Sequence, residues 1–148
     1  MEQLLQALLE FHRALQVYTS EQPTAQLPPE VRELRIRLIQ EELDEYATAA
    51  RAEDLVGIAD ALTDLLYVVL GAMLAHGLHP VAEALFWEVH RSNMSKVGPD
   101  GKPVLRADGK VLKPAHYSPP DLARILQPWL PPGIDTPHDQ PDASPPAA

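Results

Sequence analysis

Glu41, Glu42 and Glu45 sit in the stretch LIQEELDEY, and Asp60 and Asp64 follow inside the apolar run IADALTDLLYVVLGAML. Glu41 and Glu45 are spaced i, i+4 and stack on one helical face, and Glu42 reaches Glu45 at i+3. Asp60 and Asp64 repeat the i, i+4 spacing. An exposed run of glutamates is ordinary, but two aspartates on a greasy helix are not. A buried carboxylate without a partner is costly and otherwise has to stay protonated. A hard divalent cation resolves the conflict, because it prefers oxygen donors and keeps several carboxylates ionised at once. An all-oxygen set made of Glu41, Glu42, Glu45, Asp60 and Asp64 points to Mg²⁺ or Mn²⁺. A di-iron bundle would want Glu-x-x-His pairs, and no histidine here lies three residues after a glutamate.

These acids need two helices to hold them. The first glutamate-bearing helix is expected from Pro29 to about Ala52, since prolines suit a helix's first turn. Asp54 is placed to cap the next helix, which runs to about His76 with Gly77 as its stop. A short turn between them makes the pair antiparallel. From Ala52, Glu45 and Glu41 lie seven and eleven residues back, and Asp60 and Asp64 lie eight and twelve ahead. At about 1.5 Å per residue the two sets match in height within about one turn. The Asp60–Asp64 helix is apolar nearly all round, so it must be covered on every side. A chain of 148 residues with four good helices can hardly do that alone, which predicts a two-fold dimer.

Around this pair, residues 2–19 show a helical apolar period, and a fourth helix is expected from Pro80 to about Ser92. After Asn93, two Asp-Gly steps with the short alternating segments VLR and KVL predict a small hairpin or ordered loop. Asp121 opens a short helix reaching Leu126. From Pro128 onward, seven of 21 residues are proline. The expected organisation is an all-α domain over residues 1–127, a bundle of four to five helices completed by dimerisation, with a disordered tail over 128–148.

Charge and composition exclude several classes. No cysteine is present, which removes disulfides, thiolate metal sites and cysteine nucleophiles. A net charge of −9 argues against generic nucleic-acid binding. Its distribution is uneven: Glu41 to Asp64 carries eight acids against Arg51 alone, whereas Arg91 to His116 carries six bases against two aspartates. A metal cluster accompanied by an anion site fits that asymmetry. The N-terminal stretch lacks the features of a secretory signal, and the apolar run is broken by Asp60, Thr63 and Asp64. No membrane span and a cytoplasmic location are therefore expected. The competing account of Asp60 and Asp64 is an ion pair with Arg35 or Arg37, and that of Asp44 is a solvated face.

On these residues the chain resembles the all-α nucleoside triphosphate pyrophosphohydrolases, a group of MazG-like proteins, phosphoribosyl-ATP pyrophosphohydrolases and dimeric dUTPases. EELDEY corresponds to the group's E-E-x-x-E motif, and DALTDLLYVVLGAMLAHG to its acidic pair before an aliphatic run. FHRAL, LRIRLIQEE and EVHRSNMSK match as well, so the resemblance spans about residues 8 to 125. One departure stands out. The group has Glu-x-x-Asp on the second metal helix, whereas here Ala61 precedes Asp64 by three and Asp60 by four. The resemblance implies a MazG-like bundle that cleaves between the α and β phosphates of a nucleotide, with dUTP as the leading substrate. It implies Glu42 or Glu45 as the acceptor of the water's proton. Asn93, Lys96, Arg91 and Lys113 would hold the polyphosphate, with Tyr117 closing over it. His12 and Gln16 would help to form the base pocket. The alternative is a catalytically silent helical dimer that binds a nucleotide or a protein.

Overall fold

The computed structural model describes residues 1–98, 101–103, 105, 109 and 111–131. Among them the protein is all-α: α1 (Glu2–Ala14), α2 (Pro29–Arg51), α3 (Leu55–Ala75), α4 (Ala82–Met94) and α5 (Leu122–Leu126), closed by a 3-10 turn, Gln127–Trp129. The chain divides into two compact units, Met1–Glu83 and Ala84–Ala148.

In the first unit, α2 and α3 form an antiparallel hairpin, and α1 packs on α3. Leu5 and Leu8 of α1 meet Leu70 and Leu74 of α3, with Ala82 beside them, and Leu74 is fully buried. The α2–α3 turn is tight because each residue has a task. Glu53 takes a left-handed φ of 56°. Asp54 N–H then bonds to Ala49 O at 3.0 Å and Glu53 N–H to Ala50 O at 3.3 Å, satisfying the carbonyls that end α2. The Asp54 carboxylate accepts the Val56 N–H at 3.1 Å, the expected cap of α3. Asp54→Ala should cost about 1 kcal/mol, read by urea denaturation. Glu53→Gly should stabilise by up to about 1 kcal/mol in the same assay, because glycine accepts the left-handed geometry without penalty.

The same closing pattern stops α1 five residues earlier than its apolar period suggests. Gln16 adopts φ 54°, and Val17 N–H bonds back to His12 O at 2.8 Å. Gln16 is therefore exposed in a turn and not on the helix with His12. No glycine marks this end, so the apolar residues beyond it extended the expected helix too far. The start of α4 is also later than expected. Pro80 sits in a turn closed by Val81 N–H to Leu78 O at 3.1 Å, and the helix begins at Ala82.

The apolar α3 is not covered within one chain, as expected of a helix apolar nearly all round, and both Asp60 and Asp64 are exposed here. Leu55 and Val56 are 77% and 79% exposed, and Leu62 and Leu66 are also open. The physical reason is that α1 covers only the C-terminal part of α3, around Leu70 and Leu74. With a mean hydropathy of 1.8, α3 is long and apolar enough to cross a membrane by length and composition alone. Asp60 and Asp64 would be expensive in hydrocarbon.

The second unit contains α4 from Ala84, a loop and α5. Isolated antiparallel bridges join Val97 to Pro103 and Leu105 to Val111, in keeping with the expected hairpin. Asp100, Arg106, Ala107, Asp108 and Lys110, on which that reading also rested, lie outside the described residues. So does the tail from residue 132 onward.

Candidate functional site

The acids converge electrostatically. Glu42 is half-buried on α2, and its carboxyl is pushed above the ordinary carboxylate range. Partial burial is the first cause; Glu45, Asp64, Glu41 and Asp60 follow in that order as like charges. All five carboxylates singled out from spacing thus share one neighbourhood, with Glu42 at its centre. Asp44 is not among the groups acting on Glu42. It accepts a hydrogen bond from Gln40 Nε2 at 2.9 Å, the behaviour of a solvated face.

Helix geometry explains the arrangement. Glu42 is two turns along α2 from Arg35, and Asp64 is two turns back along α3 from Gly71, so the antiparallel pair brings Glu42 opposite Asp64. Along the hairpin is an open groove of about 1170 Å³, lined by Glu41, Asp44, Glu45, Asp60, Arg37 and Ile36 among others. Ala61, at the position where the group has a glutamate, is buried, while its neighbour Asp60 faces that groove. Among the described residues, no three acids or histidines are close enough together to form a ready metal shell. The donors nevertheless fit a hard cation: all are oxygens, and their mutual repulsion at Glu42 is what such an ion relieves.

Two turns from Glu42, a second feature escaped the sequence. Arg35 is 7% exposed and His12 is 3% exposed. Neither Arg35 Nε nor His12 Nδ1 has a hydrogen-bond partner. Neither Arg35 nor Arg37 makes an ion pair with Asp60 or Asp64, so the pairing considered for these aspartates is not formed among the described residues. Gly71 makes room for both: a Cβ there would lie 3.2 Å from Arg35 Nη1 and 3.3 Å from His12 Nε2. Burial lowers the His12 pKa, and the Arg35 guanidinium lowers it further, so the imidazole folds neutral. The sign follows from linkage. The unfolded chain binds the proton more readily, so this contribution is complete above pH 6.5 and is lost as pH falls below it. Thermal unfolding from pH 8 to pH 5 should show a falling midpoint, and His12→Gln should flatten that slope. The clue in the sequence was an arginine and a histidine on the apolar faces of their helices, but burial needed all three helices in place.

In the second unit, the chain brings together most of the residues expected to meet phosphate. Lys96 Nζ donates to Asn93 Oδ1 at 2.8 Å. The Lys96 and Lys113 ammonium groups lie 5.9 and 4.9 Å from the centre of the Tyr117 ring. Ser92 Oγ is 3.5 Å from the Tyr117 hydroxyl. Arg91 is engaged differently: its Nε and Nη2 donate to Glu88 at 3.0 and 2.8 Å, and Nη1 donates to Ser118 Oγ at 3.0 Å. Glu88 is buried and its pKa is held down to about 2, chiefly by Arg91 and next by the Asp121 N–H. This pairing was not anticipated from the sequence.

No curated protein sequence matches the chain. The family model described as phosphoribosyl-ATP pyrophosphohydrolase matches residues 8–93. That segment is more than half of the 148 residues, runs from α1 to Asn93, and contains every acid of the cluster. It stops short of Lys96, Lys113 and Tyr117. The conjunction of this match with crowded glutamates and aspartates on an antiparallel helix pair places the chain in the phosphoribosyl-ATP pyrophosphohydrolase family, a MazG-like, all-α group of hydrolases acting on phosphoric anhydrides.

Proposed function

We propose that the protein is a metal-dependent nucleoside triphosphate pyrophosphohydrolase that cleaves the α–β phosphate bond, with dUTP as its preferred substrate. The observation that carries this reading is the crowding of Glu41, Glu45, Asp60 and Asp64 around Glu42 within the family-matched segment. Those five residues would hold Mg²⁺ or Mn²⁺. When bound, the ion neutralises charge on phosphate oxygens and lowers the pKa of a bound water.

The remaining chemistry belongs to the chain. Glu42 or Glu45 accepts a proton as the water oxygen bonds to phosphorus, and the bridging P–O bond breaks. The products are a nucleoside monophosphate and pyrophosphate. Asn93, Lys96 and Lys113 bind phosphate oxygens, and Tyr117 supplies the surface over which the two ammonium groups are arranged. His12, buried against Arg35 and Gly71, bears on base recognition only from beneath the surface, and Gln16, exposed in its turn, does so only at the margin.

A second reading of the substrate is favoured by the family match itself: phosphoribosyl-ATP in place of dUTP. The nucleotide is expected to meet the protein in the cytoplasm. The exposed apolar face of α3, with Leu55, Val56, Leu62 and Leu66, is best covered by a second copy of the chain, so a homodimer is expected in light-scattering measurements. The activity is tested by incubating the protein with Mg²⁺, a panel of nucleoside triphosphates and phosphoribosyl-ATP, and resolving the products by ³¹P NMR. Monophosphate plus pyrophosphate, fastest with dUTP, is expected. Diphosphate plus orthophosphate would overturn the bond assignment. No turnover with Mg²⁺ or Mn²⁺ would favour the silent binding dimer.

A further inference from the structure

Glu88 is a heavily engaged side chain among the described residues of the second unit, and the activity described above gives it no task. Its side chain is 8% exposed. One oxygen accepts both Arg91 Nη2 and the Asp121 N–H at 2.8 Å, while the other accepts Arg91 Nε at 3.0 Å and lies 4.0 Å from Arg124 Nη2. Arg91 in turn reaches Ser118 Oγ at 3.0 Å and Pro119 O at 2.9 Å. Ser95 continues the line in the turn just past the end of α4: its hydroxyl accepts the Ser118 N–H at 3.0 Å. Glu88 and Arg91 on α4, and Ser95 just beyond it, are thereby stitched to residues 118–121.

Tyr117 immediately precedes this stitched segment, and its ring is where the Lys96 and Lys113 ammonium groups are arranged. Lys96 is on the α4 side of the clasp, one residue after Ser95. Lys113 and Tyr117 are on the returning segment. Nothing in local helix geometry brings the two together; the long-range contacts that do so run through Glu88, Arg91, Ser92 and Ser95, and through His116, whose Nε2 lies 2.9 Å from Val97 O. An ion pair between buried Glu88 and exposed Arg91 is a weak source of stability compared with apolar packing, but its directional hydrogen bonds define one geometry. We propose that Glu88 is a positioning residue: through Arg91 and the Asp121 amide it holds Tyr117 and Lys113 in register with Asn93 and Lys96, so that the four present one anion-binding surface. Arg91 acts on phosphate through this clasp and not by contact. The inference rests on the reading of Asn93, Lys96 and Lys113 as phosphate ligands.

The test is calorimetric titration of the full chain with inorganic pyrophosphate in Mg²⁺ buffer, using Glu88→Gln, Arg91→Lys and the double variant. Each single substitution should weaken binding on the order of tenfold, since small misplacements of binding groups have large effects. The double variant should bind no more weakly than either single one. Mn²⁺ binding in the absence of pyrophosphate should be unchanged in all three. If Glu88→Gln lowers the thermal midpoint below the assay temperature, Ser95→Ala, which loosens the same segment, should weaken pyrophosphate binding in the same direction. Wild-type affinity in both Glu88→Gln and Ser95→Ala would overturn the inference. Additive losses in the double variant would also overturn it, because they would place Arg91 on the phosphate itself. Failure of the wild-type chain to bind pyrophosphate would instead remove the phosphate reading on which the inference stands.

Discussion

Glu42→Ala and Asp64→Ala are each expected to lower kcat by about 10³-fold or more, while Asp44→Ala leaves it within about twofold. The three acids are within one chain segment or on facing helices, so composition does not distinguish them. Position does. Glu42 is at the centre of the cluster and is acted on by four other carboxylates, among them Asp64. Removing either takes away a hard oxygen donor and, at Glu42, a candidate base. Asp44 lines the groove with Glu41, Glu45 and Asp60, but its carboxylate is held by Gln40 and is not among the groups that act on Glu42. Steady-state kinetics on the three variants, with circular dichroism to confirm unchanged helicity, checks the expectation. Equal losses at Asp44 and Asp64 would mean that α2 is rotated from the orientation described.

Gly77→Ala is expected to be the most destabilising single methyl in the protein, at about 2–5 kcal/mol. Gly77 ends α3 with φ 64°, a conformation that costs an alanine about 1–2 kcal/mol. The larger part is steric. A Cβ there would lie 2.1 Å from the carbonyl oxygen of Gln22, a backbone atom that cannot rotate away. The loop around Gln22 is fixed on the end of α3: Ser20 N–H bonds to Leu74 O at 3.1 Å, and Thr24 N–H to His76 O at 3.0 Å. His76 Nδ1 is 2.8 Å from Thr24 O, fixing the loop a third time. The methyl therefore has to break these bonds or unwind the helix end. Against a typical domain stability of about 5–15 kcal/mol this is a large fraction, readable as a shifted urea midpoint.

The parts of the fold legible in the sequence are those controlled by local rules. Prolines at the start of α2, Asp54 before α3 and Gly77 after it each mark a boundary through their own backbone chemistry, and the structure has them in those roles. The spacing of Glu41, Glu42, Glu45, Asp60 and Asp64 was informative for the same reason: a fixed rise per residue converts sequence distance into height along a helix. Where an ending depended on a residue outside the usual type, as with Gln16 in a left-handed conformation, the sequence pointed past it. Long-range features were hidden altogether. Arg35 and His12 become buried only when α1, α2 and α3 meet at Gly71, and Glu88 acquires its partners only because residues 118–121 return to α4. How much of α3 one chain covers depends on packing in the same way, since α1 reaches only one end of it.

We propose that Glu41, Glu42, Glu45, Asp60 and Asp64 on α2 and α3 form one divalent-cation centre. Its most direct test is titration of the wild-type chain and of Glu42→Gln and Asp64→Asn with Mn²⁺, following free ion by electron paramagnetic resonance. Saturable binding to the wild-type chain, displaced by Mg²⁺ and reduced at least about tenfold by either substitution, is the predicted result. No saturable binding to the wild-type chain, or binding that survives both substitutions unchanged, would contradict it.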